Sequence, residues 1–345
     1  MHVIDTPDGF TPAALSEIFE APVTGVGWEK VGSGQIGACY RLRLECADGA
    51  DGVPRRLVAK LAAEDEGSRA FLWPVYRAEV AFYRDLAATV DVRTPRCHYG
   101  AISDDGTSFV LLLDDLHPAV QGDQLAGCTP EQAAGAVVNL AGLHGPRWCD
   151  PTLLDLPWLN AVGDGDAAQL GEVFGPAVET FVERFAGRLA DADVRTLRRS
   201  AEAIAAWVVG RPERFGLVHG DYRLDNLLFA DDGRVTAVDW QTLGVGHPLR
   251  DLAYFLGTSL SPDDRAAGER DLVGRYHTEL LRYGVTGYDL DACFDDYRFA
   301  ALQGPLITVL GCAYGTPTER GDLMFLAMAA RSCAAIRALG TLDLT

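Results

Sequence analysis

From Tyr40 onward apolar and charged side chains alternate: Tyr40, Leu42, Leu44 and Cys46 are apolar, and Arg41, Arg43 and Glu45 are charged. A period of two is that of a strand with one face buried. Trp28 to Val31 form a short stretch before it, separated by a glycine-rich tip. Three Asp-Gly pairs (Asp48-Gly49, Asp105-Gly106 and Asp232-Gly233) each lie between apolar runs and predict three hairpins. LVAKLA (57–62), CHYGAIS and SFVLLLDDL read as further strands. In RAEVAFYRDLA, Val80, Tyr83 and Leu86 recur at a spacing of three and predict an amphipathic helix carrying Glu79. Further on, TPEQAAGAVVNLAGLHG starts with Thr129 as cap and Pro130 in the first helical position. Residues 165–210, 262–282 and MFLAMAARSCAAIRALG also read as helices. The pattern predicts an α+β chain: an antiparallel sheet with one helix over 1–113, then a mainly helical lobe over 114–345.

Composition narrows the class. With 345 residues, 48% of them apolar, the chain is long enough for two lobes. It contains no apolar run of about 18 residues, so no membrane span is expected. The segment MHVIDTPDGF has neither a basic region nor an apolar core, and the expectation is a cytoplasmic protein. The formal charge of −19 argues against nucleic acid, which needs a basic surface, and leaves cationic small molecules open as ligands. The eight cysteines show no C-x-x-C and no metal-binding spacing and read as free thiols. Lysine is rare: Lys30 and Lys60 are the only two. A chain that otherwise uses arginine keeps lysine where a compact charge on a thin stem is needed.

The candidate chemistry begins at VGSGQIGACY, where Gly32, Gly34 and Gly37 form G-x-G-x-x-G. In a dinucleotide fold this motif opens a helix, whereas in an ATP-covering loop it joins two strands. The alternation after Gly37 selects the strand. The second segment is LVHGDYRLDNLLFADDGRVTAVDWQ (217–241), in which Asn226 and Asp239 flank a predicted hairpin and Asp221 stands just before it. Hairpin ends lie side by side, so three oxygen-bearing groups converge there, as Mg²⁺ and a nearby base require.

H-G-D-x-x-x-x-N followed by D-W-Q resembles the catalytic loop and metal-binding aspartate of the aminoglycoside phosphotransferase and choline kinase-like family, relatives of protein kinases. The resemblance runs along most of the chain, through the glycine loop, VAK with Lys60, Glu79, FVLLLDDL, LAGLH with His144, and RDLAYFL with Asp251. It departs from protein kinases at Cys39, where they usually have valine, and at Trp240-Gln241, which replaces Phe-Gly. No A-P-E segment is present, which disfavours a protein substrate. The long chain and GDQLAG after the hinge are closer to the ecdysteroid-kinase-like and acyl-CoA-dehydrogenase-associated branches.

The resemblance implies a protein-kinase-like two-lobed fold and an ATP- and Mg²⁺-dependent O-phosphotransferase acting on a small-molecule hydroxyl. Gly32, Ser33, Gly34 and Gly37 would cover the phosphates, Lys60 would hold them and pair with Glu79, and Leu112 and Asp114 would line the nucleotide hinge. Asn226 and Asp239 would bind Mg²⁺, and Asp221 would act on the hydroxyl proton. His219, His144 and Asp251 read as internal braces, and Arg250 as a phosphate contact or a surface partner to an acid. Residues 145–210 would wall the acceptor site, with Trp148, Trp158, Asn160, Asp164 and Asp166 as candidate lining. The acceptor stays open between an antibiotic, cationic or otherwise, and a metabolic amino alcohol, sugar or hydroxyacyl compound. A nucleotide-binding pseudokinase is the competing reading, a dinucleotide oxidoreductase the third, and oligomeric state is not legible.

Overall fold

The computed structural model describes residues 2–32, 37–50 and 52–345. Ser33 and Gly34 of the glycine loop therefore lie outside the described residues. The chain divides into two compact units. The first comprises 1–88, 94–118 and 239–242, and the second 89–93, 119–238 and 243–345.

The first unit is built on strands β1 (Val23–Val31), β2 (Gly37–Cys46), β3 (Arg56–Ala62), β4 (Cys97–Ile102) and β5 (Phe109–Asp114), with helices α1 (Pro12–Phe19) and α2 (Glu66–Ala81). The sheet order is β1-β2-β3-β5-β4, every pair antiparallel. Alternation along β2 has the consequence expected of it: Ala38, Tyr40, Leu42 and Leu44 enter one core with Leu57, Ala59, Leu61, Val110 and Leu112. The opposite face carries a second core of Ala62, Tyr76, Val80, Phe109, Leu111 and Leu113, to which α2 contributes. β5 is thus apolar on both faces, which explains its unbroken FVLLL.

Two elements exceed the sequence reading. β1 is nine residues long, and α1 was not anticipated, although Thr11 caps it and Pro12 opens it. α2 starts eleven residues before RAEVAFYRDLA, at a cap where Asp65 accepts from the Ser68 N–H, and Pro74 inside it masks the helical signal. The periodic stretch after Ala81 continues as a π turn over Phe82–Leu86.

The second unit contains β6 (Val120–Gln121), α3 (Pro130–His144), β7 (Asn160–Ala161), α4 (Asp164–Arg184), α5 (Asp191–Val208), β8 (Gly216–Val218), β9 (Leu227–Phe229), β10 (Val235–Ala237), β11 (Gly244–Gly246), α6 (Leu249–Ser259), α7 (Pro262–Arg282), α8 (Leu290–Ala300), α9 (Gln303–Tyr314) and α10 (Glu319–Leu339). The β9-β10 hairpin forms at Asp232-Gly233, where Gly233 has φ +80°. α6 is buried along its whole length and lies under the loop that joins β8 to β9. Five helices, α3, α7, α8, α9 and α10, pack against it. α3 begins with the Thr129/Gln132 capping box.

Candidate active site

In the first unit β3 brings Lys60 to the face that α2 covers. Nζ lies 2.8 Å from the Glu79 carboxylate and 2.9 Å from Asp239 Oδ1. The Lys60 and Glu79 side chains are 11% and 1% exposed. Burial alone would strip the proton from Lys60, but the charges of Asp239 and Glu79 outweigh it and hold its pKa above the ordinary lysine value. Glu79 is raised by its own burial, with the Lys60 charge opposing.

Asp239 is delivered by an anchored turn. Its φ is +70°, a left-handed conformation that aspartate tolerates better than most residues. The next residue, Trp240, is fully buried: its ring stacks on Phe82 at 3.8 Å, and its indole N–H donates to Thr94 Oγ1 at 3.0 Å. Phe82 follows Glu79 by three residues, so one helix end positions both the lysine's partner and the aspartate's turn.

Of the other nucleotide candidates, Gly32 has φ +73° and, among the described residues, nothing within 4 Å of a would-be Cβ, and Gly37 begins β2 with its would-be Cβ 2.8 Å from the Leu61 carbonyl oxygen. A side chain there would push β2 off β3. Asp114 Oδ1 lies 2.6 Å from His98 Nε2. Leu112 pairs with Ala59, one residue from Lys60 in register, and its side chain belongs to the core on the far face from Lys60. The residues that share the Lys60 face include Cys39, Val58, Ala62, Leu111 and Leu113. Strict alternation outward from Lys60 is the signal that would have found them.

In the second unit the loop after β8 carries Asp221. Asp251, on the first turn of α6, accepts from two successive backbone N–H groups of that loop, His219 at 2.6 Å and Gly220 at 3.0 Å. Gly220 takes φ +82°, which glycine adopts without strain. His144 Nε2 lies 3.3 Å from Asp251, its Nδ1 lies 2.7 Å from the Tyr276 hydroxyl, and His219 Nε2 meets the Val238 carbonyl at 3.1 Å. His144, His219 and Asp251 are fully buried.

The Asp221 carboxylate is held by three donors. Tyr254 O–H donates to Oδ1 at 2.9 Å, and Arg223 Nε and Asn226 Nδ2 donate to Oδ2 at 3.0 and 2.9 Å. Asn226 Nδ2 also donates to the Asp221 carbonyl at 2.9 Å. With its nitrogen committed twice, the Asn226 amide presents its oxygen as the remaining polar atom. Val238, whose N–H donates to the Asn226 carbonyl at 3.0 Å, leads directly into Asp239. Sequence reasoning missed Arg223, Asp225 and Tyr254. Arg223 reaches on to Asp225, which Arg320 also clamps. Burial would lower the Arg223 pKa, but Asp221 and the other acids around it hold it above the ordinary value.

One further expectation is corrected. Arg250 does not face solvent: it is buried, donates to the Val208 carbonyl and lies 4.4 Å from the Trp207 ring centre. Asp166 accepts from the Gly163 N–H at the start of α4 and acts as a helix cap. Trp148 packs on Tyr288.

The phosphotransferase enzyme (APH) family matches residues 49–289, more than two thirds of the chain. The chain belongs to that family. This APH-family chain has the protein-kinase-like α+β fold. Aminoglycoside 2'-phosphotransferase-IIIa, solved with GDP, superposes with a TM-score of 0.56 at 15% identity, covering 92% of this chain and 95% of that one. Plasmodium vivax ethanolamine kinase gives 0.53 at 11% identity, covering 89% and 82%. Among curated sequences, acyl-CoA dehydrogenase family member 11 of Homo sapiens is 38% identical over 65 residues, which are 18% of this chain and 8% of that protein. The Gallus gallus protein is 39% identical over 67 residues, 19% of the chain and 9% of the relative. No helix among the described residues is long and apolar enough to cross a membrane.

Proposed function

We propose that this phosphotransferase moves the γ-phosphate of ATP to a hydroxyl of a small organic acceptor, with Asp221 as the base. The observation that carries the reading is the Asp221 carboxylate, 23% exposed and fixed by three donors on a loop braced at two backbone N–H groups. A binding module has no use for so oriented a carboxylate.

Each residue has a role under this reading. Lys60, kept charged between Glu79 and Asp239, holds the phosphates, and Gly32, Ser33, Gly34 and Gly37 cover them. Asp114 and the β5 backbone at Leu112 border the base of the nucleotide. Magnesium requires hard oxygen donors, and the chain offers the Asp239 carboxylate and the Asn226 amide oxygen. When bound, magnesium neutralises charge on the transferring phosphoryl group. The eight free thiols favour a reducing, cytoplasmic setting.

For the acceptor, a metabolic alcohol or hydroxyacyl compound suits the surroundings of Asp221 better than a polyamine antibiotic. Asp225, which shares Arg223 with Asp221, is also paired with Arg320, and Arg320 holds Asp123 as well. The test is ADP release with Mg²⁺-ATP across aminoglycosides, macrolides, choline, sugars and hydroxyacyl thioesters. Asp221→Asn should lower acceptor-dependent turnover about 10²- to 10⁴-fold while ATP still raises the thermal midpoint. Undiminished turnover in Asp221→Asn would remove the base from the mechanism, and ATP binding without turnover on any acceptor would favour the pseudokinase.

A further inference from the structure

A carboxylate has about four lone-pair positions, two on each oxygen. On Asp221, Arg223 Nε and Asn226 Nδ2 occupy both positions of Oδ2, and Tyr254 O–H occupies one of Oδ1. One position on Oδ1 is left among the described residues. Tyr254 sits on α6 three residues after Asp251, on the same helix face. One turn of a fully buried helix therefore fixes the loop backbone through Asp251 and the reactive carboxylate through Tyr254.

We propose that Tyr254 is a positioning residue for phosphoryl transfer: its hydroxyl selects the single Oδ1 lone pair that receives the acceptor's proton. The inference rests on Asp221 being the base. In the step, the acceptor oxygen forms a bond to the γ-phosphorus as the bond from phosphorus to the bridging β,γ-oxygen breaks. ADP departs with that electron pair, and the acceptor's proton passes to Asp221 Oδ1 and later to solvent. Arg223 and Asn226 close Oδ2 to the acceptor, and without the phenol the carboxylate can rotate and offer Oδ1 in two directions. Burial and the neighbouring Asp221 charge hold the Tyr254 pKa well above the ordinary tyrosine value, so the phenol remains a donor throughout the working range. Its ring packs on Met324 and Met328, contacts that phenylalanine retains.

The experiment is a double-mutant cycle of Tyr254→Phe and Asp221→Asn, read as kcat and KM for ATP and acceptor. Tyr254→Phe is expected to lower kcat about 10- to 100-fold, leave both KM values within about threefold, and leave the ATP-induced thermal shift intact. In the Asp221→Asn background the same change should cost less than twofold, because the group Tyr254 acts through is gone. Equal losses in the two backgrounds would overturn the proposal, as would wild-type kcat in Tyr254→Phe. Wild-type turnover in Asp221→Asn would instead defeat the base assignment on which the proposal stands. If phenylalanine disturbs folding, Tyr254→Met gives the same cycle with a flexible apolar side chain.

Discussion

The buried pair of Lys60 and Glu79 allows a quantitative test. At 2.8 Å and an effective dielectric of about 20, two unit charges attract by about 6 kcal/mol. Desolvating each ion costs several kcal/mol, so the net value of the pair is far smaller than the gross attraction. Lys60 also touches Asp239 at 2.9 Å, which shares its charge between two acids. Glu79→Gln keeps the shape of the side chain and leaves Lys60 with one charged partner. Lys60→Met leaves Glu79 buried without its cation, and Glu79 answers by binding a proton, the direction in which burial already pushes it. We expect Lys60→Met to destabilise the first unit by about 3 kcal/mol and Glu79→Gln by about 1 to 2, with a coupling energy of about 1 to 2 kcal/mol in the double variant. The assay is urea unfolding of the four proteins, in parallel with the thermal shift on adding ATP, which both Lys60 variants should lose. Additivity within about 0.5 kcal/mol would refute the argument, because it would mean that the two side chains do not sense each other's charge.

Further outcomes follow from the packing. Gly37→Ala places a methyl group 2.8 Å from the Leu61 carbonyl oxygen and should cost about 1 to 3 kcal/mol, read by chemical denaturation, whereas Gly27→Ala in β1, with nothing within 4 Å, should cost less than about 1. Asp296 is fully buried and takes Arg214 Nε at 2.6 Å, Arg211, and the Tyr288 hydroxyl at 2.8 Å. Its burial would raise its pKa, but His247 and the two arginines outweigh that and hold it below the ordinary carboxylate value. A depressed carboxylate stabilises the fold above its unfolded pKa of about 3.9 and loses that contribution as pH falls below it. Asp296→Asn should therefore cost about 3 kcal/mol near neutrality, and its deficit against the wild type should shrink below about pH 4 in pH-dependent unfolding.

How much was legible beforehand depended on whether a residue's partners were close in sequence. Alternation along β2 and the Asp-Gly turns are local patterns, and they gave the sheet. α2 was truncated because Pro74 interrupts a helix that tertiary packing nonetheless completes. At the site, Lys60, Asp221, Asn226 and Asp239 sit in recognisable strings, whereas Tyr254 lies 33 residues from the carboxylate it touches and looks like any core aromatic in RDLAYFL. Arg250, in the same string, was misread as a surface residue because an arginine can be buried against an indole and a backbone carbonyl. The facing of the Leu112 side chain was illegible for a different reason. In a strand that is apolar on both faces the sequence does not say which leucines face the lysine, and only the register with β3 does.

The scarcity of lysine gives the protein a built-in pair of spectroscopic reporters. Lys30 is exposed and joined to Glu64 at 2.6 Å at the edge of the sheet, and Lys60 is enclosed by two carboxylates. Isotopic labelling of lysine alone would place side-chain nuclei at these two positions and nowhere else. A nucleotide arriving at the enclosed amine would move one resonance, and the other would serve as an internal standard within the same molecule.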